Sequence, residues 1–393
     1  MKVTFPYMGC VLGYKKLLSK LGHEIIMPQK PTKRTFELGV KYSPEFLCYP
    51  FKVITGTYLE AAEKGVELIV ASGGTGPCRA GYYTEIQKRI LKQEGYDIQI
   101  ITFDSVFQNP GEFIKKILTI KNKTSIVKVV KSLFFTYHLI NYMDNLEKRL
   151  KILRAYEVEK NSFNKVWSKI ENIFDKCETV KELKIANREA TALLESVERR
   201  KVDEEHKLRV GIVGEIYVIM ESSTNMEIEQ KLNELGVEVE NVQYISEWVR
   251  HNTIPRVINN EKSHQVLKKS DKYNSLNCGG HDKENMGWIV DFAERGFDAV
   301  VHLMPFGCLP ELVTRSVIPS MSEDLGMPIL SISLDEQTGT VNLQTRIEAF
   351  IELVKSKKFV SSRIIDLKPQ KVELPPIHNE METIELAPVK IAQ

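Results

Sequence analysis

Several signatures that define common classes of protein are missing from this sequence of 393 residues. No apolar run reaches the roughly 20 residues needed to cross a bilayer, which argues against a membrane-spanning protein. There is no Cys-X-X-Cys pair, which disfavours a zinc ribbon or a thioredoxin-type redox centre. The sequence also lacks a Gly-X-Ser-X-Gly elbow, a His-Glu-X-X-His helix and a P-loop, so it offers no support for a serine hydrolase, a zincin or a P-loop nucleotidase.

An excess of charge is missing as well. The chain has 54 Lys and Arg against 52 Asp and Glu, a net charge of +2, so the charge balance predicts no nucleic-acid partner and no anionic membrane partner. Six cysteines are too few for a disulfide scaffold in a chain of this length. The first residues lack the apolar core of a signal peptide. We therefore expect a cytoplasmic protein with reduced cysteines.

Glycine and proline are absent between Glu112 and His206, a stretch dense in Lys, Glu, Leu and Ile. Its periodicity predicts long amphipathic helices over residues 126–153, 163–174 and 179–200. On both sides of this stretch, short strand patterns alternate with helix patterns, which is typical of βαβ units and parallel sheets. One helical segment, over residues 309–326, is expected to be interrupted near Pro319.

The sequence thus predicts an α/β protein with two Rossmann-like parallel-sheet domains on either side of a helical middle. The predicted parts are an N-terminal domain (1–111), a helical insert (112–207), a C-terminal domain (208–362) and an extended tail (363–393).

Two cysteines follow predicted strands in the same way. Cys78 and Cys308 each come after a glycine, a short β-branched run and a Gly/Pro turn. If both runs are parallel strands, both thiols lie at strand carboxyl ends, where open α/β sheets build their sites. Two such sheets could close around a shared metal centre. Scattered cysteines are also common as inert packing residues, and that interpretation stays open.

The loop before and after Cys78 is rich in glycine. Gly74, Gly76 and Arg79 in this loop are candidate cofactor-binding residues, because its N–H groups could form an anion-binding nest; a plain structural turn is the alternative. Cys48 precedes a turn and a helix, which is a weak signal by itself. Thiolates from separate loops suit iron–sulfur chemistry better than metals that prefer oxygen ligands.

Glu215 and His281 are the candidate catalytic residues. Glu215 follows the first strand of the second half and could line a cleft or move a proton, but it could equally cap a helix. His281 lies in a tight Gly-Gly-His turn beside Cys278. A histidine in such a turn more often bonds to the backbone than it catalyses a reaction.

At these residues the chain resembles the 2-hydroxyacyl-CoA dehydratase / CoA-substrate-specific enzyme activase-related iron–sulfur family, which includes double-cubane cluster proteins. The resemblance lies in segments on both sides of the helical middle: residues 35–39, 43–52, 73–83, 211–217, 279–281, 304–311, 335–339 and 345–350. It implies a [4Fe-4S] or double-cubane cluster held between two domains by Cys48, Cys78 and Cys308. Cys10 stands where that branch has Asn, so it could be a fourth ligand, a second-cluster ligand or a bystander. Whether Cys278 is a cluster ligand is left open in the same way.

The resemblance implies an iron–sulfur electron acceptor, either a reductase or a 2-hydroxyacyl-CoA dehydratase-like lyase. A separate ATP-hydrolysing iron–sulfur activator would reduce it, and the missing nucleotide motif agrees with the acceptor role. A homodimer, or a heterodimer with a related subunit, is compatible with this prediction. Two alternatives remain: a non-catalytic docking or scaffold partner of such a system, suggested by the charged helices, and a thiol enzyme that exchanges Cys48 with Cys78.

Overall fold

The computed structural model describes residues 1–73, 78–253, 262–276 and 278–366. Its strands are β1 (Lys2–Thr4), β2 (Glu24–Ile25), β3 (Leu68–Ser72), β4 (Gln99–Phe103), β5 (Leu208–Gly214), β6 (Val237–Asn241), β7 (Ala299–Pro305) and β8 (Ile329–Leu334). Its helices are α1 (Val11–Lys20), α2 (Lys33–Tyr42), α3 (Tyr49–Ala62), α4 (Tyr83–Gln93), α5 (Pro110–Ile120), α6 (Ile126–Leu153), α7 (Ser162–Asp175), α8 (Val180–Glu195), α9 (Ile216–Met220), α10 (Ile228–Glu234), α11 (Ile245–Thr253), α12 (Lys262–Lys269), α13 (Asp282–Glu294), α14 (Leu309–Asp324) and α15 (Thr340–Asp366).

The strands form two parallel sheets with the same internal order. The first sheet runs β2-β1-β3-β4 and the second β6-β5-β7-β8, and every neighbouring pair is parallel. The predicted α/β class with two parallel sheets and helices between them is therefore confirmed. In each sheet the order reverses between the two central strands, and such switch points are where open α/β sheets place their ligands. The domain boundaries given above stay a prediction. Residues 363–366 of the predicted extended tail belong instead to helix α15, and residues 367–393 lie outside the described residues.

The central strands are apolar because helices cover both faces of each sheet. All seven residues of β7 are buried, as are six of the seven residues of β5. Such continuous β-branched runs are typical of strands in parallel sheets. Each fully buried Val, Leu or Ile side chain contributes about 1.5–3 kcal/mol to folding.

Helix α6 connects the helical middle to both sheets. It begins after Ser125, whose hydroxyl accepts a hydrogen bond from the N–H of Lys128, and it continues for 28 residues. Its buried face packs against α1 and β6 and belongs to the same apolar core as Val210 and Ile212 of β5. No helix in the described ranges combines the length and the apolar character that crossing a membrane requires.

Helices α2 and α3 approach each other closely. A Cβ atom on Gly39 would lie 2.0 Å from the carbonyl oxygen of Lys52, and one on Gly56 would lie 2.0 Å from that of Thr35. Glycine at both positions therefore lets the two backbones touch. This packing fixes the start of α3, which immediately follows Cys48.

The predicted interruption near Pro319 is wrong. Helix α14 runs without a break from Leu309 to Asp324 with Pro319 inside it. Proline removes one N–H donor and crowds the preceding turn, which destabilises a helix but does not always end it. Here Ile318 and Met321 are buried in the core next to the proline, and this packing holds the helix together.

Candidate functional site

The three cysteines from separate loops share one structural position. Cys48 is the N-cap of α3, Cys308 is the N-cap of α14, and Cys78 is the N-cap of the short 3₁₀ turn that leads into α4. Pro follows closely after Cys48 and Cys308, at a position where its missing N–H costs nothing. Cys48 and Cys308 thus lie at the electropositive N-terminus of a helix, a position that favours negative charge on a thiol.

These loops border a cavity of about 410 Å³ between the carboxyl ends of the two sheets. Cys78 and Cys308 line it. Burial raises the pKa of all three thiols, and the thiols also act on one another: Cys78 raises the pKa of Cys48, and Cys48 raises the pKa of Cys308. Cys48 therefore lies within electrostatic range of both Cys78 and Cys308, although Cys308 follows a strand of the second sheet.

Arg79 joins the three cysteine-bearing loops. It follows Cys78 directly; its Nη1 donates to the carbonyl oxygen of Phe46 at 2.6 Å, and its Nη2 donates to the carbonyl oxygen of Gly307. Its charge lowers the pKa of both Cys48 and Cys78, against the larger effect of burial. The predicted cofactor-binding role of Arg79 stays a prediction, and the structure adds these two backbone contacts.

Tyr83 gives one of the thiols a hydrogen-bonding partner. Its hydroxyl lies in hydrogen-bonding contact with Sγ of Cys48, and its ring packs edge-on against Phe51 at 5.1 Å between centroids. Tyr83 also lines the cavity. The sequence analysis did not single it out, although its position one helical turn after Cys78 could have signalled it.

Glu215 and His281 both line the cavity from helix N-termini. Glu215 is the N-cap of α9, where its Oε2 accepts a hydrogen bond from the N–H of Val218 at 2.9 Å. Burial raises the pKa of Glu215 to about 7, while His281 lowers it. His281 is the N-cap of α13, and its Nε2 lies 3.9 Å from a carboxylate oxygen of Glu284. Glu215 therefore caps a helix and lines the cavity at the same time.

The remaining predicted residues have other surroundings. Cys10 is the N-cap of α1, and burial followed by the charge of Asp144 raises its pKa. The backbone N–H of Cys278 donates to Asp282 at 3.1 Å. Gly74 and Gly76 lie outside the described residues.

A buried polar network lies behind Cys308 and was missed from the sequence. His302 on β7, Asn285 on α13 and Glu311 on α14 are each at most 1% exposed. Asn285 donates to both carboxylate oxygens of Glu311, at 3.0 and 2.9 Å, and its own carbonyl accepts from the N–H of Gly214 at 3.0 Å. A single polar residue, His302, inside an otherwise apolar strand was the available signal.

The arrangement does not resemble a site for one metal ion. Among residues 1–73, 78–253, 262–276 and 278–366, no group of three His, Cys, Asp or Glu side chains could hold a metal ion. A mononuclear zinc site needs its ligands around one centre, whereas the thiolates of an iron–sulfur cluster bind different iron atoms and stand farther apart. Three thiols that cap helical segments, two of them in the wall of one cavity, suit the latter, since soft thiolates are the ligands that such clusters use.

The fold and the site define a two-sheet α/β protein with a cysteine-bearing cavity between the sheets. The family model for 2-hydroxyglutaryl-CoA dehydratase, D-component, matches residues 15–354, and the chain belongs to this family. The match covers all of the second sheet, the helices between the sheets, and the first sheet except β1. It confirms the predicted relationship to the 2-hydroxyacyl-CoA dehydratases and supports a dehydratase-type component of an activator-dependent system. Among the curated proteins, no relative matches this chain.

Proposed function

We propose that this chain is the iron–sulfur component of a dehydratase-type system, with its cluster held by Cys48, Cys78 and Cys308 between the two sheets. The observation that carries the proposal is that three cysteines from distant loops cap three helical segments; two of them, Cys78 and Cys308, line one cavity, and Cys48 contacts Tyr83 in its wall. The family match supports the dehydratase-type chemistry.

The three thiols would hold a [4Fe-4S] or double-cubane cluster. When bound, a cluster with three thiolate ligands supplies low-potential one-electron chemistry and leaves one iron without a protein ligand. Arg79 and Tyr83 stabilise negative charge on the sulfur atoms, one through its charge and the other through its hydroxyl. An ATP-hydrolysing activator would deliver the electron, as the family relationship suggests.

Glu215 and His281, which line the cavity, would donate and accept protons during the reaction. A carboxyl group with a pKa of about 7 can release or take up a proton near neutral pH, so Glu215 suits a general acid or base for a substrate oxygen. Apolar side chains, including Met8 and Ile54, form another part of the wall and limit the entry of water. Charges inside such a cavity interact more strongly than they would in water.

Anaerobic reconstitution followed by iron and sulfide assays tests the proposal. We expect about four iron and four sulfide per chain for one cubane, and a loss of at least half of this iron in each of the variants Cys48→Ser, Cys78→Ser and Cys308→Ser. Cys177→Ser is the matched control, because Cys177 is equally buried but lies after α7. Less than about one cubane per chain in the unmodified protein contradicts the proposal. Cys10→Ser and Cys278→Ser, measured in parallel, assign those two thiols.

A docking role is the second candidate, because one face of α6 is apolar and exposed. Ile126, Val130 and Phe134 lie on one side of its first turns and are 64%, 60% and 58% exposed. Binding of the metal-free protein to a purified activator tests this role. Docking is supported if the metal-free protein binds the activator as tightly as the metal-bound protein does. Val130→Glu should then abolish the binding, and Val341→Glu on α15, the control, should leave it unchanged. Electron uptake that depends on the cluster rejects a purely scaffolding function.

A further inference from the structure

We infer that Arg79 is a positioning residue that fastens the three cysteine-bearing loops to one another across the two sheets. The inference rests on the proposed cysteine site, but the contacts themselves are independent of any bound group. Arg79 is covalently next to Cys78, and it donates to the carbonyl oxygens of Phe46 and Gly307. Phe46 lies two residues before Cys48, and Gly307 lies one residue before Cys308.

The guanidinium group suits this task better than the other cationic side chains. It is planar and carries five N–H donors in a fixed fork, so it can donate to two carbonyl oxygens on opposite sides at once. A lysine ammonium is a compact charge on a flexible stem and holds one such geometry poorly. Hydrogen bonds from a charged donor are also stronger than those between neutral groups.

The conformation of the loop before Cys308 orients the carbonyl oxygen of Gly307, which accepts the hydrogen bond from Nη2 of Arg79. Gly307 has φ +72°, in the left-handed region that residues with a Cβ rarely adopt. The carbonyl of the preceding Pro305 accepts from the N–H of Cys308 at 3.1 Å, which closes the turn immediately before α14. Gly307 therefore directs its carbonyl toward Arg79 while Cys308 begins the helix.

The interface carries a second, separate link between the same two halves. Nζ of Lys52, one turn into α3, lies 2.5 Å from Oε1 of Glu336, which follows β8. This ion pair joins the halves without touching a residue next to Cys308. Arg79 is thus the residue whose loss is expected to loosen the Cys48 and Cys308 loops specifically.

Hydrogen–deuterium exchange of the metal-free protein tests the inference without any cluster. In Arg79→Gln we expect amide exchange over residues 45–48 and 306–309 to rise about ten- to a hundredfold. In Arg79→Lys we expect it to rise in at least one of these segments. Arg346→Gln is the matched control, because Arg346 donates to a single backbone carbonyl, that of Ser331, at 3.1 Å. Exchange in α7, whose Ile170 and Phe174 are fully buried, reports global unfolding.

The result separates this inference from the proposed function. If exchange in both cysteine loops stays at the unmodified rate in either folded variant, the inference is wrong, whatever the cluster content. If the unmodified protein binds no cluster but Arg79→Gln loosens both loops, the proposed function fails and the positioning role stands. In protein that does bind a cluster, we expect Arg79→Gln to change its reduction potential and its electron paramagnetic resonance spectrum, while Arg346→Gln leaves both unchanged.

Discussion

Nε2 of His302 lies 2.7 Å from Oε2 of Glu311, and both side chains are buried. Because Glu311 also accepts two hydrogen bonds from Asn285, we assign the proton of His302 to Nε2, with the hydroxyl of Ser331 donating to Nδ1 at 2.9 Å. The network connects β8, β7, α14 and α13, and through Asn285 it reaches the N–H of Gly214, next to Glu215. It therefore fixes the Cys308 helix relative to the Glu215 loop.

Replacement of Glu311 by Gln is expected to destabilise the protein. Nδ2 of Asn285 contacts both oxygens of Glu311, so either orientation of the Gln amide sets one donor against another and leaves a buried donor without an acceptor. Such a loss costs about 1–3 kcal/mol in the free energy of unfolding. Glu323→Gln on the exposed face of the same helix is the control. Urea unfolding of the two variants measures the difference, and equal midpoints contradict the expectation.

Asp144 is expected to make stability depend on pH. Its Oδ2 accepts from the N–H of Ser246 at 2.8 Å. Burial is the main cause that raises the pKa of Asp144 to about 7; Glu147 acts in the same direction, and Ser246 and Lys148 oppose it. A carboxyl group whose pKa is higher in the folded state stabilises the fold fully below its unfolded pKa of about 4. This contribution, on the order of 4 kcal/mol, is lost as the pH rises through about 7.

The variant Asp144→Asn removes this titration and keeps an oxygen that can accept from Ser246. We expect the free energy of unfolding of the unmodified protein to fall between pH 5 and pH 8 relative to that of Asp144→Asn. Urea unfolding of both metal-free proteins across this range measures the difference. If the free energies of unfolding of the two proteins change with pH in parallel, the pKa of Asp144 is not raised in the folded state.

Much of the fold could be predicted because its strongest elements have local signals. The predicted helix over residues 126–153 has the bounds of α6, since a long periodic pattern needs no partner to be recognised. Helix α2 was missed. Its Gly39 looks like a breaker in the sequence, and only its contact with the backbone of α3 explains it.

The candidate site was predictable only in part, for a related reason. That Cys48 and Cys308 precede helices follows from the Pro and the helix pattern after each of them. The contacts of Arg79 with residues 33 and 228 positions away, and that of His302 with Glu311, come from tertiary packing. No local periodicity encodes such pairs.

The ion pair between Lys52 and Glu336 is expected to contribute measurably to stability. Its side chains are 9% and 21% exposed, so water screens it weakly. Lys52→Met leaves the carboxylate of Glu336 without its partner, and we expect a loss of about 1–3 kcal/mol in the free energy of unfolding. The control is Lys33→Met, which breaks an exposed pair with Glu37 and is expected to cost at most about 0.5 kcal/mol. Thermal and urea unfolding compare the two, and equal losses would show that burial gives the first pair no advantage.

Tyr83 is expected to tune the cluster that we propose. Its hydroxyl contacts Sγ of Cys48 and would donate to it once the sulfur is a thiolate ligand; such a bond stabilises the more negative, reduced state of a cluster. In Tyr83→Phe the ring keeps its packing on Phe51 while the bond is lost. We therefore expect full iron content and a reduction potential lower by on the order of tens of millivolts. Tyr82→Phe is the neighbouring control, because Tyr82 is 72% exposed. A redox titration followed by electron paramagnetic resonance measures both, and a Tyr83→Phe potential equal to that of the control would mean that this hydroxyl does not act on the cluster.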